Sequence, residues 1–197
     1  NQINIFIDDG TTNEKVVAFD PLYVIPNPLR PNDDTAKLES EEVLEFEVSN
    51  VDKPDNPPRN GKIIIRLSLT PESFRNDPDA YRRGGTAEAK ARYLRANEGF
   101  SVLRNGREVL YHTIENWVPT PHGHPEDRFW SCEIDFDPLL DSQFHVKFIK
   151  VGAQPEEELR IQLQKWISPF IERCRKKIQA IWDEVDQETI STSGTGS

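Results

Sequence analysis

The chain has 197 residues, a formal net charge of −10 and 36% hydrophobic residues, with a pI of about 4.9. That length buries a sizeable core as one domain, or as one domain with an extension. An acidic balance of this size excludes a chain that grips nucleic acid over its whole surface.

Fifteen prolines predict long exposed connections. The two cysteines, Cys132 and Cys174, are far apart with no Cys-x-x-Cys spacing. They read as reduced thiols of a cytoplasmic protein, with a disulfide as the alternative. No apolar run approaches the ~20 residues that cross a bilayer, and no signal peptide opens the chain. The absence of Met leads us to expect more chain upstream of Asn1.

In chain order, residues 3–8 read as a strand, with Asp9-Gly10 as the turn of a hairpin to residues 15–19. The proline-rich run 20–34 is expected to lie extended over the surface. Residues 43–48 alternate strictly. Leu44, Phe46 and Val48 are predicted on one face and Val43, Glu45 and Glu47 on the other. After a turn-rich loop, residues 62–69 form a strongly strand-like run, predicted antiparallel to 43–48.

Thr70 and Pro71 read as the cap and first position of a helix. Residues 86–97 have helical composition, with Thr86 as cap and Ala89, Tyr93 and Ala96 toward the core. Strands at 100–103 and 108–111 flank Arg104-Asn105-Gly106-Arg107, and Asn-Gly is the strongest short hairpin signal. A loop over 113–127 leads to a strand at 128–136. Asp137-Pro138 then caps a short helix. From Pro155 to about Val185 apolar residues recur at spacings of three or four (Leu159, Leu163, Ile167, Phe170, Cys174, Ile178, Ile181, Val185). Trp166, Ile171 and Trp182 widen the stripe of this amphipathic helix, and Pro169 is expected to kink it. The divisions are 1–154, an α+β domain with an N-terminal strand and loop extension; 155–186, a long helix; and 187–197, a tail read as disordered.

Three separated stretches resemble one family. NEGFSVLRNGREV from Asn97, DRFWSCEIDFDPLLDSQF from Asp127 with a lysine soon after, and VAFDPLYV from Val17 are similar to the transducer domain of a bacterial group of GHKL ATPases. That superfamily includes gyrase, the heat-shock ATPase chaperones, histidine kinases, MutL and the microrchidia (MORC) proteins. The resemblance covers roughly residues 17–166. It implies a mixed β-sheet with helices on one face, like ribosomal S5 domain 2, preceded in the parent protein by a domain that binds ATP and Mg²⁺. It implies a homodimeric parent. It also implies that a lysine of this chain reaches the γ-phosphate held by that upstream domain, and the match places Lys150 there. The family pattern continues Lys-Gln where this chain has Lys150-Val151, and Lys147 is the neighbouring alternative. Arg104 and Arg107 belong to the recurrent signature and are candidates for contact with the nucleotide domain.

The chemistry agrees in kind, because a lysine ammonium is a compact cation suited to a terminal phosphate. A lysine on a loop also converts loss of that phosphate into movement. The chain's own glycine pairs, Gly84-Gly85 and Gly194-Thr195-Gly196, lack the strand-turn-helix context of a phosphate loop. The expectation is that this chain alone does not hydrolyse ATP.

His122, His124, Glu126 and Asp127 are badly spaced for one tetrahedral ion and read as a solvated loop. His112 and His145 read as structural, and Cys132 as buried core. Arg173, Arg175, Lys176 and Lys177 are diluted by neighbouring acids and read as a solvated helix face. A nucleic-acid binder using the Arg173–Lys177 patch is a third reading, open to the sequence but not indicated by it. The reading from another class is a non-catalytic interaction or dimerisation module that uses the 155–185 helix.

Overall fold

The computed structural model describes residues 5–16, 18–48, 57–75, 87–112, 124–145 and 156–193. The architecture is α+β: a two-stranded ribbon, a five-stranded mixed sheet and one long C-terminal helix. The ribbon pairs β1 (Phe6–Asp8) with β2 (Asn13–Lys15). Asp9 organises its turn, accepting the N–H groups of Thr11 and Thr12, and Gly10 takes a φ of 83°. The second strand therefore starts earlier than the predicted residues 15–19.

The main sheet is built from β3 (Lys37–Val48), β4 (Arg59–Leu69), β5 (Phe100–Arg104), β6 (Arg107–His112) and β7 (Trp130–Phe136), in the order β3-β4-β7-β5-β6. All neighbours are antiparallel except β5 and β7, which are parallel. The alternation read at 43–48 holds. Leu44, Phe46 and Val48 pack against the core while Val43, Glu45 and Glu47 are exposed. Both outer strands run longer than predicted, and the register slips by one residue at Glu39, a β-bulge.

One face of this sheet is the core. Across β4 and β7 the pairs Ile63–Phe136, Ile65–Ile134, Leu67–Cys132 and Leu69–Trp130 stand side by side, all under 10% exposed. Phe100 and Val102 of β5 continue the layer. Each such side chain contributes roughly 1.5–3 kcal/mol through removal from water. The cover is α3 (Glu157–Ser193). Its residues Leu159, Leu163, Ile167, Phe170, Cys174 and Ile178 are buried as the periodicity predicts, with Ile171 and Trp182 beside them. Trp166 is a correction: it is 47% exposed. The helix runs on through Pro169 to Ser193, past the expected end near 186.

Among the described residues there are two further short α-helices, α1 (Glu72–Arg75) and α2 (Ala87–Ala91). Thr70 does not cap α1. Its hydroxyl is buried with no hydrogen-bond partner, and its carbonyl accepts Arg75 Nε instead. The predicted helix to residue 97 ends at Ala91, because Tyr93 adopts a left-handed φ of 59°. Leu94 N–H then bonds Ala89 C=O and Tyr93 N–H bonds Lys90 C=O, the paired bonds of a Schellman ending. Ala89 stays buried as expected, but Leu94 takes the core place given to Tyr93 and Ala96, which are exposed. Thr86 lies outside the described residues.

The run 20–34 is not simply draped on the surface. Asp20 accepts the N–H groups of Leu22, Val24 and Ile25, winding the chain into turns that drive Leu22 and Tyr23 inward. Tyr23 stacks edge-on to Phe19 and Phe74 and donates its hydroxyl to Arg92 C=O.

Candidate functional site

The signature residues meet where the parallel pair β5 and β7 ends. Arg104 closes β5 opposite Phe136, the last residue of β7. The predicted Asn-Gly turn is present, with φ of 51° at Asn105 and 74° at Gly106. It is locked onto the neighbouring strand: Asn105 N–H donates to Phe136 C=O at 3.0 Å and Gly106 N–H to Asp135 Oδ1 at 2.9 Å. Arg107 faces Arg104 across the hairpin and is exposed.

Beyond β7 the chain turns at once. Asp137 accepts Leu139 N–H at 2.8 Å, and a 3-10 turn over Pro138–Leu140 follows. This is the short helix that Asp137-Pro138 predicts. The turn delivers Asp141 to Arg104, whose Nε and Nη2 donate to Asp141 Oδ1 and Oδ2, each at 2.7 Å. These bonds to the carboxylate raise the Arg104 pKa above its ordinary value. Phe144 is fully buried and stacks on Phe136, centroids 3.9 Å apart and planes 10° apart.

At His145 the backbone takes a φ of 45°. The chain returns at Glu156, whose N–H donates to Gln143 C=O at 2.7 Å. Lys147 and Lys150 both lie outside the described residues, in the stretch between these pinned ends.

Asp141 occupies the Arg104 fork, Asp137 adds its charge beside the same guanidinium, and Asp135 is engaged by the hairpin turn. Among the described residues no group of three His, Cys, Asp or Glu side chains is placed to hold a metal ion. His124 Nδ1 stands 3.9 Å from Glu126 Oε2, while His122 lies outside the described residues.

The basic cluster of the long helix is broken up by the fold. Arg175 Nε and Nη2 donate to Asp127 Oδ1 and Oδ2, both at 2.7 Å, and Lys177 Nζ reaches Glu39 at 3.4 Å. Cys132 and Cys174 are free and buried. Burial pushes the Cys132 thiol well above its ordinary range and that of Cys174 to about 12. Neither is the thiolate a nucleophile requires.

Two partners escaped sequence reasoning, Asp141 for Arg104 and Asp127 for Arg175. Each lies more than 35 residues from its arginine, so no local pattern marks it. No helix among the described residues is long and apolar enough to cross a membrane. No protein-family model matches this chain, and no curated protein or solved structure is significantly similar to it.

Proposed function

We propose that this chain is the transducer segment of a GHKL-type ATPase. It couples ATP binding and hydrolysis in an upstream domain to a conformational change, with Lys150 contacting the γ-phosphate. What supports the reading is one convergence: Arg104, Arg107 and the stretch carrying Lys147 and Lys150 leave from the same end of the sheet. They come from separated parts of the sequence. The end of a parallel strand pair, at its carboxyl side, is also where open sheets commonly present ligand-contacting loops.

On this reading the upstream domain holds ATP and Mg²⁺, and this chain contributes one cation. The described residues fit that division: their carboxylates would repel a triphosphate, and Arg104 is already committed to Asp141. The chain's own part is mechanical. The 141–145 turn, clamped by Arg104 and by the Phe136–Phe144 stack, links the lysine-bearing stretch to the core. The start of α3 hangs on Gln143 through Glu156, so displacement of that stretch passes to a 37-residue helix. A homodimeric parent belongs to the same proposal.

The interaction-module reading has less to stand on. The apolar stripe of α3 is covered by the chain's own sheet, which leaves Ile161, Trp166 and Ile190 exposed.

The test is ATP hydrolysis by the parent protein with its natural N-terminus, comparing wild type, Lys150→Ala and Lys147→Ala. Loss of turnover in Lys150→Ala, with the fold intact by circular dichroism, is the expected result. Loss only in Lys147→Ala moves the phosphate contact to that residue. No ATP binding by the parent overturns the proposal.

A further inference from the structure

The strand β3 is an edge strand of 12 residues, as long as any in the sheet. Among the described elements it pairs only with β4, so its outer row of N–H and C=O groups faces no other described strand. Edges of this length are usually shortened or covered, because they template pairing with another chain.

Its side chains say what pairs there. On the open face Glu41, Glu45 and Glu47 alternate with Val43. The neighbour on the inner side answers them with cations: Arg66 Nε lies 2.6 Å from Glu41 and Lys62 Nζ 3.3 Å from Glu45. Across from Glu47 stands Asn60, and no described cation meets Glu47. On the other face Leu44 and Phe46 are only half-buried. The core layer therefore reaches the edge unfinished.

We infer that the outer edge of β3 takes an added strand from a partner segment that is extended and alternates basic with apolar residues. Main-chain ladder bonds would supply the attachment. Cations opposite Glu41, Glu45 and Glu47 and apolar side chains beside Leu44 and Phe46 would set register and choice. The same acids exclude self-pairing, since a second copy of β3 would bring like charges face to face. Charge thus closes the edge to this chain and opens it to a cationic one. The bulge at Glu39 limits the ladder to the stretch from 40 onward.

The experiment uses the whole chain and an acetylated, amidated heptapeptide of alternating lysine and valine at low ionic strength. A control peptide of the same sequence is N-methylated at every backbone nitrogen, which keeps the charge and removes every ladder donor. The expected result is binding of the first peptide only, with amide exchange in residues 40–47 slowed by about tenfold or more. The Glu45→Gln/Glu47→Gln variant, whose exposed side chains leave the fold intact, is expected to bind several-fold more weakly. Equal binding of the N-methylated peptide would show attraction without strand addition and overturn the inference. Absence of binding, or protection confined to other strands, overturns it as well.

Discussion

Arg175 lies midway along α3 and grips Asp127 with both arms of its guanidinium, each N···O distance 2.7 Å. Asp127 sits in the 3-10 turn over Pro125–Phe129 that feeds β7, and its side chain is 1% exposed. The same carboxylate accepts Trp130 Nε1 at 3.0 Å. A residue from the basic run of the helix is therefore the tie between the helix and the start of the central strand. About two turns further on, Trp182 packs edge-on to Phe129 and donates its Nε1 to Arg75 C=O at 3.1 Å. Polar bonds thus tie the long helix to the turn before β7, to α1 and, through Lys177 and Glu39, to β3, in addition to its apolar stripe.

Removing one partner of a buried pair strands the other without compensation, at a cost of about 3–5 kcal/mol. Arg175→Ala is expected at the upper part of that range, because it leaves the Asp127 carboxylate shut from water. Asp127→Ala costs less: Arg175 is 15% exposed and can turn its charge outward. Arg175→Lys restores charge without the two-pronged geometry and recovers only part of the loss. Urea unfolding of the three variants checks the order.

Gly61 and Leu140 form a second, steric relationship close to the signature end of the sheet. A Cβ at residue 61 would stand 2.7 Å from Leu140 Cγ, and Leu140 is 1% exposed in the core. Gly61→Ala is expected to destabilise by about 1–3 kcal/mol through overpacking. Shortening the opposing residue makes room, so Gly61→Ala combined with Leu140→Ala should cost less than the sum of the two single changes. A double-mutant cycle by thermal or urea unfolding measures that coupling. Additivity would show that Leu140 moves aside freely.

What was legible in the sequence was what is written in short periods. The alternation of 43–48, the Asn105-Gly106 turn and the three-four spacing from Leu159 onward each describe contacts repeated along one element, and each element is present. What was not legible depended on a single residue overriding its neighbours. Helix-favouring composition promised α2 a longer run, and Tyr93 ended it by turning left-handed. Prolines marked 20–34 as irregular, but only the Asp20 carboxylate, gathering three N–H groups, explains why Tyr23 enters the core. At the candidate site Arg104 stood out through its motif. Its partner Asp141 is one of many acids in an acidic chain, and only the fold selects it.

Alkaline pH should destabilise the protein, because several buried thiols and phenols hold their protons more tightly in the fold. Burial raises the Cys174 thiol from its ordinary 9.0 to about 12 and the Tyr23 phenol from 10.0 to about 12. Each group loses its proton more easily in the unfolded chain, so the unfolded state holds fewer protons above pH 9. Stability contributed by the neutral, buried forms is complete below pH 9 and falls as pH rises toward 12. Tyr23→Phe removes one of these groups and should flatten the fall above pH 10, although it also gives up the bond to Arg92 C=O. In native buffer neither thiol should react with a disulfide reagent, and both should react in urea. Rapid labelling of Cys174 in the native state would contradict the burial that underlies the pH prediction.

The Arg104–Asp141 clamp separates a stabilising role from a coupling role. Arg104 and Asp141 are 36% and 38% exposed, and exposed pairs add little to stability even when their geometry is good. Arg104→Gln should therefore leave the unfolding midpoint within error, with the hairpin still closed by Asn105, Gly106 and Asp135. The consequence is expected one step away, in the turn from Asp141 to His145 that launches the stretch bearing Lys147 and Lys150. If that stretch carries the phosphate contact, Arg104→Gln lowers ATP turnover of the parent with its affinity for ATP kept, because the upstream domain still holds the nucleotide. Asp141→Asn should do the same, since it weakens the same clamp from the other side. Reduced ATP affinity in either variant would instead place Arg104 against the nucleotide domain itself. Unchanged turnover and affinity in both would remove the clamp from the coupling path.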